Sequence, residues 1–489
     1  MPPESTYVEP LTKRNVINKS QLDARCKAGE ILIVVNHKVY KLDKWIKHHP
    51  GGQLAIRHCI GRDCTDEVKA LHPDYVLEKK IKYFEIADYL PRESDPDFEP
   101  LLLSNKKSKE DVFAAQEAQI STAYNQLEQR LRADHLFETN YINYAWEFAR
   151  YLTLFTMAIV LNLYGTCTMH YMASALCLAM FWHQISFFAH DAGHNSISHN
   201  LQIDNGIGIF LADFLGGLSI GWWKKSHYVH HIVTNHPIHD PDIQHLPFFA
   251  VTTRIFQGFF STYHQKEMVF DRAAQFFVSY QHYLYYPIMM MGRFNLYVQS
   301  MQFLMFEPVY PYRKQEIVGL TVYWIWYPYF LMQLPTWNMV FAYVMISHMF
   351  TFMLHVQITL SHFGMSTEDL GEHESFAAKM LRTTMDVDCP LWLDWFHGGL
   401  QFQAIHHLFP RMPRHNLRMA QPYVREFCEE VGLTYHIHGF AKGNSIVYSA
   451  LKDVADQVGF FVEVAKHEAK EYIDAQKIVL PTEEAKKDL

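Results

Sequence analysis

Residues 151–169 and 171–189 contain no Asp, Glu, Lys or Arg, and the chain is again free of them from 317 to 367. Inside a hydrocarbon layer every backbone N–H and C=O must find its partner within the protein, which a helix achieves locally and an irregular segment does not. About 20 apolar residues carry a helix across ~30 Å of hydrocarbon. The two early runs therefore predict a helical hairpin, and Pro335 splits the later stretch into two further spans, about 317–335 and 337–357. A mean hydropathy of -0.12 on its own would suggest a soluble chain. That average conceals polar ends around an apolar, aromatic-rich middle.

Histidines mark the ends of these runs: HDAGH occupies 190–194, HYVHH 227–231 and QAIHH 403–407. Residues three and four apart share one face of a helix. His190 thus pairs with His194, His227 with His230 and His231, and Gln403 with His406 and His407. Neutral imidazole suits iron, zinc, copper and nickel, and three such groups facing a common point could hold more than one metal ion. Their meeting constrains the topology. The apolar run 206–223, which contains Asp213, is not expected to cross, because His227–His231 must rejoin His190 and His194. A full crossing at 273–291, also uncharged, would strand the third cluster on the opposite face. Both runs are expected to lie in the interface or to re-enter it, which leaves four spans. Lys224, Lys225, Arg313 and Lys314 flank the histidine-bearing side, in keeping with a cytosolic placement.

Residues 11–90 read as a small separate domain. ILIVV at 31–35 is a buried-strand run, Asn36-His37-Lys38 a turn, and VYKLDKW at 39–45 alternates as a second strand does. The HPGG at 49–52, the VYKLDKW before it and His72 after a helical stretch resemble cytochrome b5. The resemblance implies a haem b held between His49 and His72, with Gly51 and Gly52 permitting the tight turn that presents the first ligand. His48 and His58 fall outside the motif. Two axial imidazoles leave no open position on the iron, so such a haem would carry single electrons and not bind oxygen.

Residues 1–10 form an N-terminal tail, and 91–140 a linker that starts polar and proline-rich. In the linker Ile120, Tyr124, Leu127 and Leu131 recur at helical spacing, an amphipathic helix expected to pack on the membrane surface or on the haem domain. Such a tether raises the carrier's effective concentration at the metal centre. The membrane domain is expected over 141–440 and a polar C-terminal tail over 441–489. The chain ends Lys486-Lys487-Asp488-Leu489, similar to the dilysine retrieval signal of endoplasmic reticulum proteins. MPPESTYVEPLTKRN lacks the apolar core of a signal peptide. Seven cysteines without a CxxC pair suit a reducing compartment. A net charge of -8 leaves no basic footprint for nucleic acid.

Taken together, the histidine clusters, the N-terminal cytochrome b5-like domain and the glutamine opening the third cluster resemble the front-end desaturases, and the resemblance covers most of the chain. It implies an α+β haem-binding cytochrome b5-like domain fused to an all-α four-span membrane desaturase domain with a cytosolic histidine-box cap. It also implies residence in the endoplasmic reticulum membrane with both termini cytosolic, two non-haem Fe ions, and O2 as co-substrate. An NADH-cytochrome b5 reductase would reduce the haem. Carried over residue by residue, His190, His194, His227, His230, His231, His406 and His407 would be catalytic iron ligands. His362, in ITLSHF at 358–363, matches the extra ligand after the last span. Gln403 stands where other membrane desaturases have histidine, which leaves open weak iron binding, binding through water, or positioning of a neighbour. Asp191, Asp240, Asp242 and Asp394 are candidate partners for ligand N–H groups. Trp222, Trp223 and Trp395 are candidates to line a lipid tunnel or anchor at the interface, and His236 and His239 stand just past the second box.

Removing hydrogen from an unactivated methylene needs a metal-based oxidant that side chains do not supply, and reduction of O2 needs electrons one at a time. Within the family, HDAGHNSISHN at 190, HPIHDPDIQHLPFFA at 236, RTTMDVDCP at 382 and GGLQFQAIHHLFPRMPRHNL at 398 look closest to the sphingolipid 8-desaturases. That resemblance implies a ceramide or long-chain-base substrate in the bilayer, desaturated at carbon 8 with trans geometry. The alternatives are a front-end fatty acyl desaturase of the delta-6 or delta-5 type and a cytochrome b5-fused lipid hydroxylase. A membrane-anchored haem carrier with no enzymatic activity would leave the three boxes without a purpose.

Overall fold

The structure is a computed structural model that describes residues 15–90 and 109–479. The expected tail at 1–10, the proline-rich start of the linker and the terminal Lys486–Leu489 lie outside the described residues.

In the N-terminal domain Val16–Asn18 (β1), Lys19–Lys27 (α1), Leu32–Val35 (β2), Lys38–Lys41 (β3), Gln53–Arg57 (α2), Thr65–Leu71 (α3) and Glu85–Leu90 (β4) follow in order. The sheet order is β1-β4-β3-β2, with β1 parallel to β4 and the other pairs antiparallel. Asn36 and His37, at φ 48 and 58, make the two-residue turn between β2 and β3, the left-handed geometry that matches the twist of a hairpin. The expected second strand stops at Lys41: Leu42 adds one last rung by donating its N–H to the Ile31 carbonyl, and the N–H groups of Trp45 and Ile46 then turn the chain back onto the Leu42 carbonyl. Ile33, Val35, Tyr40, Leu42, Ile46, Ala55 and Ile56 form one core between sheet and helices.

Lys109–Ala133 (α4) carries the linker stripe, and the structure corrects where it packs. Ile120, Tyr124, Leu127 and Leu131 are buried against the C-terminal cap. Tyr124 donates its hydroxyl hydrogen to the Leu408 carbonyl at 2.6 Å. The neighbouring face reaches the N-terminal domain, where Ser121 and Asn125 donate to Asp66. Local periodicity reports that a face is apolar and says nothing of its partner.

Tyr141–Leu163 (α5) and Thr168–Gly193 (α6) form the expected hairpin. Its turn falls inside the 151–169 run, since Gly165 sits where a Cβ would lie 2.4 Å from the Leu161 carbonyl oxygen. Leu201–Gly208 (α7) continues as a wide turn to Leu215, and Ile220–Ile232 (α8) leaves it at 117°. The 206–223 run is therefore a sharp elbow. Asp213 is buried there beside Glu316, which accepts from Ser219 Oγ at 2.5 Å and from the Gly221 N–H at 2.9 Å, stabilising the start of α8.

Phe259–Ser261 (β5) and Lys266–Met268 (β6) make a small hairpin. Arg272–Ser279 (α9) and Gln281–Phe306 (α10) then divide the 273–291 run at Tyr280, and α10 goes on to bury Arg293. The last two runs become Arg313–Leu331 (α11) and a broken helix, Trp337–Met349 (α12) with Phe352–Leu360 (α13). The Thr336 side chain caps α12 directly after Pro335. Among the described residues α6 and the α12–α13 pair are long and apolar enough to cross a membrane by length and composition.

The cap comprises Phe376–Thr383 (α14), Asp386–Asp388 (β7), Asp394–His397 (α15), Gln403–Leu408 (α16), Leu417–Val431 (α17), Ile437–Gly439 (β8, parallel to β7) and Phe440–Val479 (α18). The expected polar tail is corrected in its first half. Val447, Leu451, Val454 and Val458 form a buried stripe on α18, packed against α10 and α9.

Candidate metal centre and haem seat

The first two histidine boxes meet because a glycine lets two helices touch. A Cβ on Gly193, at the end of α6, would lie 2.0 Å from the Trp223 ring of α8. The close approach brings His190, His194, His227 and the downstream His406 together, with ligand atoms all within 4.8 Å of one another. His230, His362 and His407 form a second group of the same kind. His231 lies between the two: its Nε2 is 3.1 Å from His227 Nε2, and its ring is 4.9 Å from His194 and 4.2 Å from His407. The seven box histidines and His362 thus converge, from four segments more than 200 residues apart at the extremes. Gln403, buried at the first residue of α16, shares the helix face of His406 and His407.

Burial first, then neighbouring imidazoles, holds His194, His227, His231, His406 and His407 well below the usual histidine range, and burial with His230 does the same for His362. Both ring nitrogens of His194 and His362, with Nε2 of His190, His406 and His407 and Nδ1 of His231, are buried without a hydrogen-bond partner among the described residues. Each such orphan costs about 1–3 kcal/mol. Lone pairs of neutral imidazoles converging in a dry site are what a pair of transition-metal ions would satisfy, so the donor set fits two such ions.

His230 differs. Burial opposes its charge, but the Asp240 carboxylate, 2.9 Å from Nδ1, and Asp242 at 3.7 Å raise it to about 9. With Nδ1–H donated to Asp240, Nε2 is the nitrogen from which a metal ion at the centre would displace the second proton. The other two acids serve elsewhere. Asp191 accepts from Tyr144 at 2.6 Å and pairs with Arg414 Nε at 2.9 Å, and Asp394 pairs with Arg418.

Several supporting residues escape sequence reading. Arg414 ties Asp191 of the first box to Glu147 of α5. Asp386 accepts the Ala404 N–H at 2.7 Å at the start of the third-box helix. Asn235 binds the carbonyls of His362 and Thr383 at 2.9 and 3.2 Å. Their partners are tens to hundreds of residues away, so no local pattern signals them. Trp223 stacks on His227 with centroids 4.3 Å apart and closes one side of the centre. Trp222 is part-buried near Phe303, and Trp395 is exposed beside Arg150. His236 and His239 stack on each other, and His239 meets His58 of the N-terminal domain.

In that domain His49 and His72 face each other with Nε2 atoms 3.5 Å apart. Each pins its Nδ1 to a backbone carbonyl, Gly52 at 2.8 Å and Val68 at 2.9 Å. Both Nε2 lone pairs therefore point at the gap, close to the ~4 Å that two metal–nitrogen bonds of about 2 Å require. Burial lowers both histidines, His72 to about 4, so they are neutral as ligands must be. Gly52, at φ 84, makes the turn, and a Cβ on Gly51 would strike the His49 ring at 2.9 Å. The pair fits a bis-imidazole haem. His48 is exposed, and His58 lies against His239.

The two centres adjoin. The Gly51 position abuts the Tyr228 ring at 3.3 Å, and that ring is 6.0 Å from His194. Ile232 of α8 belongs to the N-terminal domain's core, and Arg411 donates to the His72 carbonyl at 2.8 Å.

Comparison with known proteins agrees with this site. The family model described as Fatty acid desaturase matches residues 167–439, and that described as Cytochrome b5-like Heme/Steroid binding domain matches 18–90. The Delta 8-(E)-sphingolipid desaturase of Emericella nidulans is 41% identical over 93% of this chain and 97% of its own. That of Kluyveromyces lactis is 41% identical over 94% and 96%, and the Acyl-lipid (9-3)-desaturase of Borago officinalis 34% over 91% and 94%. The chain therefore belongs to the fatty acid desaturase family, as a member that carries its own N-terminal cytochrome b5-like domain.

Proposed function

We propose that this protein introduces a double bond at carbon 8 of the long-chain base of a sphingolipid such as ceramide, using O2 and electrons passed from its cytochrome b5-like domain. The observation that carries the reading is the convergence of eight imidazoles from four distant segments beside a second, facing histidine pair. The E geometry in the names of the Emericella and Kluyveromyces relatives is carried over to the product. A fatty acyl substrate is the second reading, on the strength of the borage relative. Its 34% identity against 41% weighs for the sphingolipid.

His49 and His72 would hold a haem b; His190, His194, His227, His230, His231, His362, His406 and His407 would hold two non-haem irons. When bound, the irons supply the oxidising power that an unactivated C–H bond demands, and the haem supplies single electrons. The protein does the rest. Asp240 fixes the His230 tautomer, Trp223 and the buried helix ends keep water from the centre, and Gly193 sets the spacing of α6 and α8. Gln403 serves as a positioning residue at the base of the third box.

The apolar helices place the protein in a bilayer. The four-span arrangement, with the helices of 141–163, 168–193, 313–331 and 337–360 crossing and the elbow at 201–232 re-entering, keeps every box on one face. That face would be the cytosolic side of the endoplasmic reticulum, where an NADH-cytochrome b5 reductase reaches the haem. Expression in a host lacking 8-unsaturated long-chain bases, followed by mass spectrometry of its sphingolipids, tests the reading. Appearance of the 8-unsaturated base supports it, and unsaturation confined to fatty acyl chains overturns it.

A further inference from the structure

Arg411 and Arg414 both follow the third histidine box within seven residues, and both are buried. Arg414 has acids to pair with, Glu147 and Asp191. Arg411 gives one N–H to the neutral His72 carbonyl at 2.8 Å, and its Nε is buried without a hydrogen-bond partner among the described residues. Asp74 and Glu128, whose charges reach it, are engaged by Arg132 at 3.3 and 2.7 Å, and that second guanidinium adds like charge. Burial accordingly holds Arg411 below the usual arginine range. Pro410 and Pro413 flank it, and the Met412 N–H is donated to the Phe409 carbonyl at 2.9 Å, so its backbone is held firmly between the third box and α17.

The surroundings of this guanidinium are the haem seat. The carbonyl it binds belongs to one member of the facing histidine pair. Tyr228, whose ring meets the Gly51 position beside His49, lies within its electrostatic reach. The cation on the Gly52 side is already answered: Lys225, whose Cγ would be 3.7 Å from a Cβ on Gly52, pairs with Glu307 at 2.5 Å. Taking a guanidinium out of water is costly unless an anion answers it, and charges that stay buried are paired. A neutral carbonyl recovers part of that cost. Arginine's planar fork of N–H donors matches a carboxylate in paired, parallel hydrogen bonds, and the unused Nε–H is one arm of such a fork. Haem b carries propionate carboxylates along one edge, so the ligand that the facing histidines fit also brings the anion that Arg411 lacks.

We propose that Arg411, a residue of the desaturase domain, binds a propionate carboxylate of the haem held by His49 and His72, so that the cofactor itself joins the two domains. This rests on the haem reading of that histidine pair. Haem binding and domain docking are then linked, each tightening the other by the same factor. The test uses the full-length chain, produced without haem and then loaded in detergent with either haem b or haem b dimethyl ester, whose carboxylates are masked as uncharged methyl esters. Wild type, Arg411→Gln and Arg411→Lys are compared by the rate at which each haem passes to excess apomyoglobin, followed by absorbance. Both axial histidines remain in every variant, so haem content should be unchanged, and the rate of loss carries the difference. Wild type should lose the ester about tenfold faster than haem b, the scale of one hydrogen bond to a charged group. Arg411→Gln should lose haem b about tenfold faster than wild type does, and the ester scarcely faster still, the non-additivity of a direct contact. Arg411→Lys keeps the charge and should recover part of the loss for haem b alone. The comparison of the two haems on wild type needs no variant to fold. If wild type releases both at one rate, or if esterification and Arg411→Gln speed release by factors that multiply, Arg411 is only a bond to the His72 carbonyl and the inference is overturned while the haem reading stands. If wild type takes up no haem b with a low-spin bis-histidine spectrum, that reading fails and the inference falls with it.

Discussion

Single side chains separate the two centres cleanly. His49→Ala removes one of two facing Nε2 atoms, and should abolish the haem absorption spectrum and turnover while leaving non-haem iron at its normal content. His231→Ala should do the reverse, keeping the haem spectrum and losing iron and activity. Iron analysis beside a visible spectrum reads both. Asp386 gives a pH dependence. Burial, against the hydrogen bonds from Tyr435 and Ala404, raises it from 3.8 to about 7. An acid with a raised folded-state pKa contributes stability that is complete below its unfolded value and is lost as pH rises through the folded one. Wild type should therefore lose stability relative to Asp386→Asn as pH rises from about 4 to about 7 and level off above that, on the order of 1 kcal/mol per pH unit at most, seen as a falling Tm. The box histidines were legible because i, i+3 and i+4 spacing is a local signal. Arg414 and Asp386 were not, because what makes them matter sits 223 or more residues away for the Asp191 partner of Arg414 and 18 residues away for Ala404.

Among the elements, the crossing of α6 and α8 is the tightest constraint. Gly193→Ala would drive a methyl into the Trp223 ring, and overpacking of this kind costs about 1–3 kcal/mol. The expected result is a protein that retains its haem but binds iron more weakly, seen as iron lost on dialysis at a rate well above wild type. Helix existence was readable from the charge-free runs, and helix ends were not. The turn at Gly165 and the break at Phe350–Thr351 fall inside apolar sequence. The α4 stripe shows the same limit: its four residues were identified as one face, but the third-box cap they cover could not be read from them.

At the scale of the molecule, the haem domain docks directly over the second and third boxes, through Ile232, the Tyr228 ring and the Arg411 contact to His72. Arg411→Ala should leave haem and iron contents unchanged and slow reoxidation of the reduced haem by about tenfold in stopped-flow absorbance with O2 and substrate. A buried charged hydrogen bond is worth about 1.5–3 kcal/mol, enough to loosen the dock. By itself the sequence determined which segments are helical and apolar, which imidazoles share a helix face, and that a haem-type histidine pair precedes them, since each of these is written in spacing over a few residues. Only the tertiary structure decided that seven imidazoles form two adjoining groups with His231 between them, that Asp240 and not Asp191 or Asp394 hydrogen-bonds a box histidine, and that the N-terminal domain sits against α8. Those outcomes depend on helix crossings and long-range contacts, whose energies belong to pairs of segments and leave no periodic trace in either one.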